Sequence, residues 1–278
     1  MKAEQFPINY FSGIASPRKI FLGRKNFSWF QLIFIYIFLN ALLLIPVTLN
    51  LATSYQFSLA DSLPEVAALL DDQTAAAFSE LPIENGELES SESTILNQSA
   101  DGIVGVNLTE AELAGQTTVV NFTPTTWQIT GLQGEREYSF ELYYTDSLNP
   151  SQATSGAALQ KLLGQQFFAN QRLPIIISAL LATGFLLFVM NLFLVLGSAF
   201  FLWLTKKSSF SSIGSFKESL SIIIQCLGLG TILAFVFGLI YYDVTMMIAV
   251  QMLTMIILLF AIYIRTKFKD QKVSGENV

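Results

Sequence analysis

Residues 173–204 read LPIIISALLATGFLLFVMNLFLVLGSAFFLWL, and this apolar run decides the fold. It contains no charged side chain, and it is bounded by Arg172 on one side and by Lys206 and Lys207 on the other. An uncharged run of about 18 residues or more is typical of a transmembrane helix. At about 1.5 Å per residue the run is roughly 48 Å long, whereas the hydrocarbon core of a bilayer is about 30 Å thick. We therefore expect a helix that tilts, bends or projects beyond the membrane.

Three other apolar runs, residues 27–48, 220–242 and 244–264, predict further transmembrane helices. The last two are separated by little more than Asp243, so they must form an antiparallel hairpin, and the Asp243 side chain can cap the final helix. The whole chain is 52% hydrophobic and 13% charged, which favours an integral membrane protein over a soluble domain. The predicted fold class is integral membrane α-helical, with four transmembrane helices.

The segment 49–172, between the first and second predicted helices, is long and acidic. Sixteen acidic residues against three basic ones give it a net charge of −13. It is too long for a connecting loop, so we predict a small α+β extracytoplasmic domain inserted between helices 1 and 2. Helical spacing appears at 59–78 and 156–168, while 84–101 favours turns and short strands. Strand-forming residues are concentrated at 117–122, 127–130 and 137–144.

Basic residues are concentrated in three segments, 1–26, 205–219 and 265–278, which hold twelve of the fifteen Lys and Arg residues. Loops rich in Lys and Arg next to transmembrane helices stay on the cytoplasmic side. The charge pattern therefore predicts that both termini are cytoplasmic and that residues 49–172 lie outside a multi-pass protein of the cytoplasmic membrane.

The basic N-terminal segment also carries a short apolar stripe. Phe6, Tyr10 and Ile14 recur at four-residue spacing, which predicts a short amphipathic helix lying among the lipid headgroups. The alternative is a disordered basic tail. In both interpretations Ser16–Pro17 ends the first element and starts the next.

The residue types exclude several kinds of chemistry. The chain has no histidine, the commonest acid–base catalyst and metal ligand, and its one cysteine, Cys226, cannot form a disulfide within the chain. The outer acidic residues show no ordered calcium-loop pattern, so a solvated acidic surface is the simpler interpretation. We predict no catalytic residue, no bound metal and no cofactor.

Uncharged polar side chains occur within each of the predicted transmembrane helices: Asn40, Asn191, Gln225 and Gln251. We interpret them as interhelical hydrogen-bonding groups, worth about 0.5–2 kcal/mol each. The alternative interpretation is a polar pathway through the bundle. The third helix also carries a ridge of small residues with a spacing of four, which favours close helix packing: Gly230, Ala234 and Gly238.

The order of these parts resembles a known family. SPRKI at 16–20 leads into the first apolar run, PIENGELES at 82–90 lies in the outer segment, and three apolar runs complete the chain. This layout is similar to that of the bacterial maltodextrin-utilisation membrane proteins, the MalA-like family. The resemblance implies a protein of the bacterial cytoplasmic membrane that acts near maltodextrin uptake, and it implies no catalytic residue.

Together these patterns lead to a hypothesis about function. We expect a non-enzymatic accessory membrane protein that contacts the lipid bilayer and either a membrane-protein partner, such as a sugar importer, or a second copy of itself. Nucleic acid is not an expected partner. The alternatives are a small oligomeric transporter or channel, and an envelope sensor that signals through its outer domain.

Overall fold

A computed structural model describes residues 6–53, 57–100, 102–207 and 211–274. The chain divides into two units, Met1–Ser54 with Ile176–Val278, here called the helical unit, and Tyr55–Ile175, here called the sheet unit. Four charged residues, Lys2, Glu4, Asp101 and Glu276, lie outside the described residues.

The described elements are, in chain order, α1 (Ile8–Phe11), α2 (Pro17–Gly23), α3 (Trp29–Thr53), α4 (Leu59–Ser62), α5 (Pro64–Leu69), α6 (Asp72–Ser79), β1 (Ile83–Glu84), β2 (Glu87–Leu88), β3 (Thr94–Gln98), β4 (Gly102–Val106), α7 (Glu110–Leu113), β5 (Thr118–Phe122), β6 (Thr126–Gln133), β7 (Arg136–Tyr143), α8 (Gly156–Asn170), α9 (Arg172–Leu204), α10 (Phe216–Ile240), α11 (Val244–Thr266) and α12 (Asp270–Ser274). Two short 3₁₀ turns, Pro150–Gln152 and Thr205–Lys207, complete the described secondary structure.

Within the described ranges four helices, α3, α9, α10 and α11, are long and apolar enough to cross a membrane. Capping side chains set the starts of α10 and α11. The Ser215 hydroxyl accepts a hydrogen bond from the Glu218 backbone N–H at 3.2 Å, so α10 begins at Phe216 rather than at residue 220. The Asp243 carboxylate accepts from the Met246 N–H at 2.9 Å, which confirms the predicted cap of α11.

Helix α10 lies at the centre of the helical unit. Every side chain from Ser219 to Gly228 is buried, and the helix packs against both α3 and α11. Helix α9 is different, because one narrow face of it is buried, at Leu187, Asn191, Val195, Ala199 and Leu202. Its other faces expose large apolar side chains.

The apolar stripe of the N-terminal segment packs into the protein core rather than facing a lipid interface. Tyr10 and Ile14 are 1% and 5% exposed, and the Tyr10 hydroxyl donates a hydrogen bond to the Ile224 carbonyl at 3.1 Å. This contact is possible because Gly228 has no side chain, since a Cβ there would overlap the Tyr10 hydroxyl. The helix expected from the stripe is a single turn, α1.

Arg24 is a buried cation that joins three segments of the helical unit. It is 2% exposed, and its Nε donates to Glu218 at 2.8 Å while its Nη2 donates to both carboxylate oxygens of Asp270 at 2.7 and 2.8 Å. Its Nη1 donates to the Phe21 carbonyl at 2.9 Å. These bonds connect the end of α2 with the starts of α10 and α12.

The sheet unit contains a five-stranded sheet in the order β3-β4-β5-β6-β7. The central pair β4 and β5 is parallel, with α7 in the connection between them, and the other neighbouring pairs are antiparallel. Strand β4 was not predicted from the sequence. A separate two-stranded hairpin, β1 and β2, turns at Asn85 and Gly86, which both have positive φ.

The helical stretch predicted at 59–78 is three short helices. Pro64 starts α5 because it lacks the N–H that would continue α4, and Asp71 caps α6. These helices and α8 cover one face of the sheet, where Val104, Val120 and Trp127 are buried. On the opposite face Ile103 and Val119 pack against Leu108. The parallel strands are therefore buried on both faces.

The Arg24 contacts predict a specific loss of stability. We expect Arg24→Met to lower the free energy of unfolding of the helical unit by about 3 kcal/mol, because it leaves the partly buried Glu218 carboxylate without its partner. Arg24→Lys should recover part of this loss, since an ammonium cannot donate to two carboxylates with the same planar geometry. Thermal unfolding of the full chain in detergent measures the effect.

The matched control is Lys25→Met, which removes the same charge at the next, exposed position. We expect its unfolding midpoint to stay close to that of the wild type. Equal effects of the two substitutions would contradict a structural role for the Arg24 network.

Candidate functional site

Two of the four predicted intramembrane polar residues meet in the structure. The Asn191 amide of α9 donates a hydrogen bond to the Asn40 side-chain oxygen of α3 at 2.9 Å. The Asn40 amide in turn donates to the Tyr36 carbonyl at 2.8 Å. Both asparagines are buried, so each side chain replaces its lost water contacts with protein contacts. This geometry links two helices.

The two glutamines lie elsewhere in the helical unit. The Gln225 amide donates to the Ser221 carbonyl and hydroxyl, at 3.1 and 3.2 Å, within its own helix α10. The Gln251 amide donates to the Thr231 hydroxyl at 2.8 Å, which joins α11 to α10. Among the described residues, no hydrogen bond connects these groups with Asn40 and Asn191, so the four predicted residues form separate contacts and not one site.

The small residues of α10 lie where neighbouring helices approach most closely. A Cβ on Gly230 would be 2.5 Å from the Gln251 carbonyl oxygen of α11. A Cβ on Gly238 would be 2.6 Å from the Met247 sulfur and 3.0 Å from Pro46 of α3. Ala234 is fully buried between Leu43 and Met247. All three positions therefore face helix contacts that larger residues would disrupt.

This close approach predicts that Gly230→Ala destabilises the helical unit by about 1–3 kcal/mol, because the added methyl group would overlap the α11 backbone. The control is Gly197→Ala on α9, where an added Cβ meets no atom within 4 Å. That variant should be neutral or up to about 1 kcal/mol more stable, because alanine favours a helix over glycine. Thermal unfolding in detergent distinguishes them, and equal destabilisation would contradict the packing role of Gly230.

The sheet unit contains a polar cavity of about 640 Å³. Its wall includes residues that carry hydrogen-bonding side chains, from helix α5, the segment leading to α6, the end of β3 and the start of β5 with one adjoining residue each: Glu65, Asp71, Asn97, Ser99, Thr117 and Thr118. Ala68, Leu69 and Leu132 add apolar surface. Sequence reasoning missed this cavity because its residues are far apart in the chain and no local motif connects them.

Asp71 is held in place by its neighbours at the edge of this cavity. Its Oδ1 accepts hydrogen bonds from the Thr74 N–H at 2.8 Å and from the Thr74 hydroxyl at 2.9 Å. The Thr74 N–H is the main cause that lowers the pKa of Asp71, and the Thr74 hydroxyl and the Asn97 amide act in the same direction. Asn97 also donates to the Leu69 carbonyl at 3.0 Å, which connects β3 to α5.

The arrangement suits a neutral, hydroxyl-rich ligand. Carboxylate, amide and hydroxyl groups exchange hydrogen bonds with sugar-type hydroxyls, while Glu65 and Asp71 disfavour an anion by like-charge repulsion. In the part of the chain that the structure describes, no group of three or more His, Cys, Asp or Glu residues is placed to hold a metal ion.

The lowered pKa of Asp71 gives a pH-dependent prediction. Because the folded pKa lies below the unfolded value of about 3.9, the carboxylate stabilises the sheet unit above that pH and loses this effect as pH falls through the folded value. Asp71→Ala should lower the free energy of unfolding of the sheet unit by about 1 kcal/mol at pH 7, since it removes the N-terminal cap of α6. The difference between the free energies of unfolding of wild type and Asp71→Ala should become smaller below about pH 4.

The measurement follows unfolding of the sheet unit through the fluorescence of Trp127, which is 1% exposed in that unit. The other two tryptophans, Trp29 and Trp203, are replaced by Phe in every sample. Asp61→Ala is the control, because Asp61 is exposed at the start of another helix of this unit. If the free energies of unfolding of wild type and Asp71→Ala differ by the same amount at pH 7 and at pH 3, the stabilising role of the ionised Asp71 carboxylate is contradicted.

Comparison with known proteins identifies two relatives. The chain is 27% identical over 272 residues to the Maltodextrose utilization protein MalA of Streptococcus pneumoniae (strain ATCC BAA-255 / R6), and the match covers 95% of this chain and 97% of MalA. The chain resembles the MalA-like proteins. It is also 24% identical over 253 residues to the Putative maltodextrin utilization protein YvdJ of Bacillus subtilis (strain 168), with 87% of this chain and 84% of YvdJ covered.

No family model and no solved structure matches the chain. The MalA similarity extends over nearly the whole length of both proteins, so it includes the apolar helices and the sheet unit together. The predicted resemblance to MalA-like proteins is therefore confirmed.

Proposed function

We propose that this chain is a non-enzymatic accessory membrane protein that acts in maltodextrin utilisation. The observation that carries the proposal is the similarity over 95% of the chain to a protein named for that process. The four long apolar helices support a location in the bacterial cytoplasmic membrane.

The surface of α9 supports insertion into a bilayer. Leu181, Phe185, Phe193 and Phe201 are each at least 70% exposed along this helix. Soluble proteins rarely expose apolar patches larger than a few hundred Å². Lipid chains cover such a face without cost, because they are as apolar as the side chains themselves.

The charge pattern supports one orientation. Basic residues are concentrated in the N-terminal segment, in the α9–α10 connection and in the C-terminal tail, and they favour a cytoplasmic position for both termini. The sheet unit, which carries most of the acidic residues, then lies outside.

The polar contacts of the helical unit favour an accessory role over a carrier. Asn40 and Asn191 bind each other, and the Gln251 amide binds Thr231, so these groups connect helices. In this proposal the chain acts through a membrane-protein partner, either a sugar importer or a second copy of itself. The cavity of the sheet unit supplies the hydrogen-bonding groups that an uncharged oligosaccharide of the maltodextrin class requires.

The proposed orientation has a direct test by cysteine labelling. Cys226 is buried and is replaced by Ala, which leaves a chain without cysteine. Single cysteines are then placed at Ser91 in the sheet unit and at Lys25 near the N-terminus, both exposed positions. A membrane-impermeant maleimide should label the Ser91→Cys variant on intact protoplasts and the Lys25→Cys variant after permeabilisation. Labelling of Lys25→Cys on intact protoplasts would refute the orientation.

The proposed role has a second test in the native host. Deletion of the gene should slow growth and sugar uptake on maltodextrin but not on glucose, and the intact gene should restore both. The purified chain incubated with maltodextrin should leave the chain-length distribution of the sugar unchanged. Normal maltodextrin uptake after deletion would refute the role, and a change in sugar chain length would refute the non-enzymatic assignment.

A further inference from the structure

The polar cavity of the sheet unit has a buried threonine in its wall. Thr118, the first residue of β5, lines this cavity of about 640 Å³ and is 4% exposed. In the part of the chain that the structure describes, no other residue forms a hydrogen bond with the Thr118 side chain. A buried hydroxyl without a partner carries a free-energy cost, so we expect this group to bind a molecule that enters the cavity.

Asn97 is held in one orientation in the wall of the same cavity. Its side-chain amide donates to the Leu69 carbonyl at 3.0 Å and to the Thr74 hydroxyl at 2.9 Å. Because both N–H groups are used, the side-chain oxygen remains as a hydrogen-bond acceptor. Protein contacts already fix this oxygen, so it can accept a hydrogen bond from a ligand without the cost of ordering a mobile side chain.

Glu65 and Thr117 are exposed residues of the cavity wall. No hydrogen bond to either side chain occurs among the described residues. Burial is the main cause that raises the pKa of Tyr138, and the negative charge of Glu65 acts in the same direction, so these two side chains are neighbours. The Tyr138 hydroxyl is buried and has no hydrogen-bond partner in the described ranges. These three side chains therefore provide an acceptor and donors that the fold leaves unused.

Part of the cavity wall is apolar. Ala68, Leu69 and Leu132 contribute this surface, and Leu132 is 40% exposed. A pyranose ring carries C–H groups on its faces and hydroxyl groups around its edge, so it matches a wall that combines apolar surface with hydrogen-bonding groups. The volume of the cavity lies within the range of about 300–1,000 Å³ that is typical of small-molecule sites.

We propose that this cavity binds one glucosyl unit of an uncharged oligosaccharide. The hydroxyl groups of the sugar donate hydrogen bonds to the Glu65 carboxylate and to the Asn97 side-chain oxygen. The Thr118 hydroxyl binds the same unit, and a C–H face of the ring packs on Leu132. This site deepens the proposed function, on which the choice of maltodextrin as the expected oligosaccharide rests.

Two other classes of ligand fit the cavity less well. An anionic sugar would be repelled by Glu65 and Asp71, which both belong to the wall. A metal ion is disfavoured, because the described residues contain no group of three or more His, Cys, Asp or Glu that could hold one. A neutral sugar avoids the repulsion and uses the free acceptors and donors.

The test measures binding of maltotetraose to the purified full chain by isothermal titration calorimetry. Lauryldimethylamine oxide is the detergent, because maltoside detergents carry the sugar of the ligand as their own head group. Thr118→Val removes the hydroxyl, keeps the branched shape of the side chain and should weaken binding about fivefold. The matched control is Thr130→Val on the neighbouring strand β6, outside the cavity wall, and it should bind within about twofold of wild type.

A second pair of variants tests the carboxylate. Glu65→Gln should weaken binding about tenfold, because a charged acceptor forms stronger hydrogen bonds than an amide. Its control is Glu80→Gln, at an exposed position outside the cavity wall, which should bind within about twofold of wild type.

A third pair of variants tests the space itself. Ala68→Phe places a large side chain in the cavity from the exposed side of α5 and should abolish detectable binding. Ala76→Phe makes the same change at an exposed position of α6 outside the wall and should leave binding unchanged. Thermal unfolding checks that each variant is folded, and the Ala68 pair keeps the test valid if Thr118→Val does not fold. Calcium chloride should not compete with maltotetraose.

Absence of maltotetraose binding to the folded wild type would overturn the proposal. Equal losses in a cavity variant and its control, or competition by calcium, would also overturn it. Cellotetraose contains the same glucosyl units in a different linkage, so equally tight binding of cellotetraose would uphold the glucosyl site and refute maltodextrin as its particular ligand. A growth defect without sugar binding would refute the site and leave the proposed role intact. Normal growth after deletion, with specific sugar binding, would refute the role and leave the site intact.

Discussion

The helical unit depends on a buried positive charge at one end. Arg24 is 2% exposed, and a cation in this position is tolerated because Glu218 and Asp270 bind it through three short hydrogen bonds. The contact holds three segments that are distant in the sequence, namely the N-terminal segment, the start of α10 and the tail after α11. Loss of either carboxylate removes part of the compensation for the buried guanidinium of Arg24, so the contact stabilises the three segments together.

The central helix α10 sets the arrangement of the rest of this unit. Gly228 leaves room for the Tyr10 ring. Gly230 lets the backbone of α11 contact the backbone of α10, and Gly238 leaves room for Met247 and Pro46. In the proposed membrane location, lipid surrounds these helices, and they gain little free energy from hiding apolar side chains. Close contacts and hydrogen bonds would then supply their association. The hydrogen bond between Asn191 and Asn40 joins α9 to α3 in this way. The bond matters for α9 because this helix buries only one narrow face and has few other contacts.

The features that sequence predicted are those that depend on local pattern. Length and hydropathy located the four apolar helices, and the carboxylate of Asp243 was a recognisable cap. Tyr10 was misjudged because its burial depends on the missing side chain of Gly228, more than two hundred residues later. Strand β4 and the polar cavity of the sheet unit were missed for a related reason, since their residues meet through pairing and packing between distant segments.

Tyr10 and Arg24 bind residues that are far from them in the sequence, and this has a consequence for the order of folding during synthesis. Tyr10 binds a residue 214 positions later, and Arg24 binds one 246 positions later. At about 5–20 residues per second, Arg24 waits roughly ten to fifty seconds after its own synthesis for Asp270 to appear. Until α10 is synthesised, the N-terminal segment has no core to join. The Arg24 contacts are therefore completed only after α12 has been synthesised. A chain that stops before α12 would leave the ribosome with Arg24 bound to Glu218 but not to Asp270.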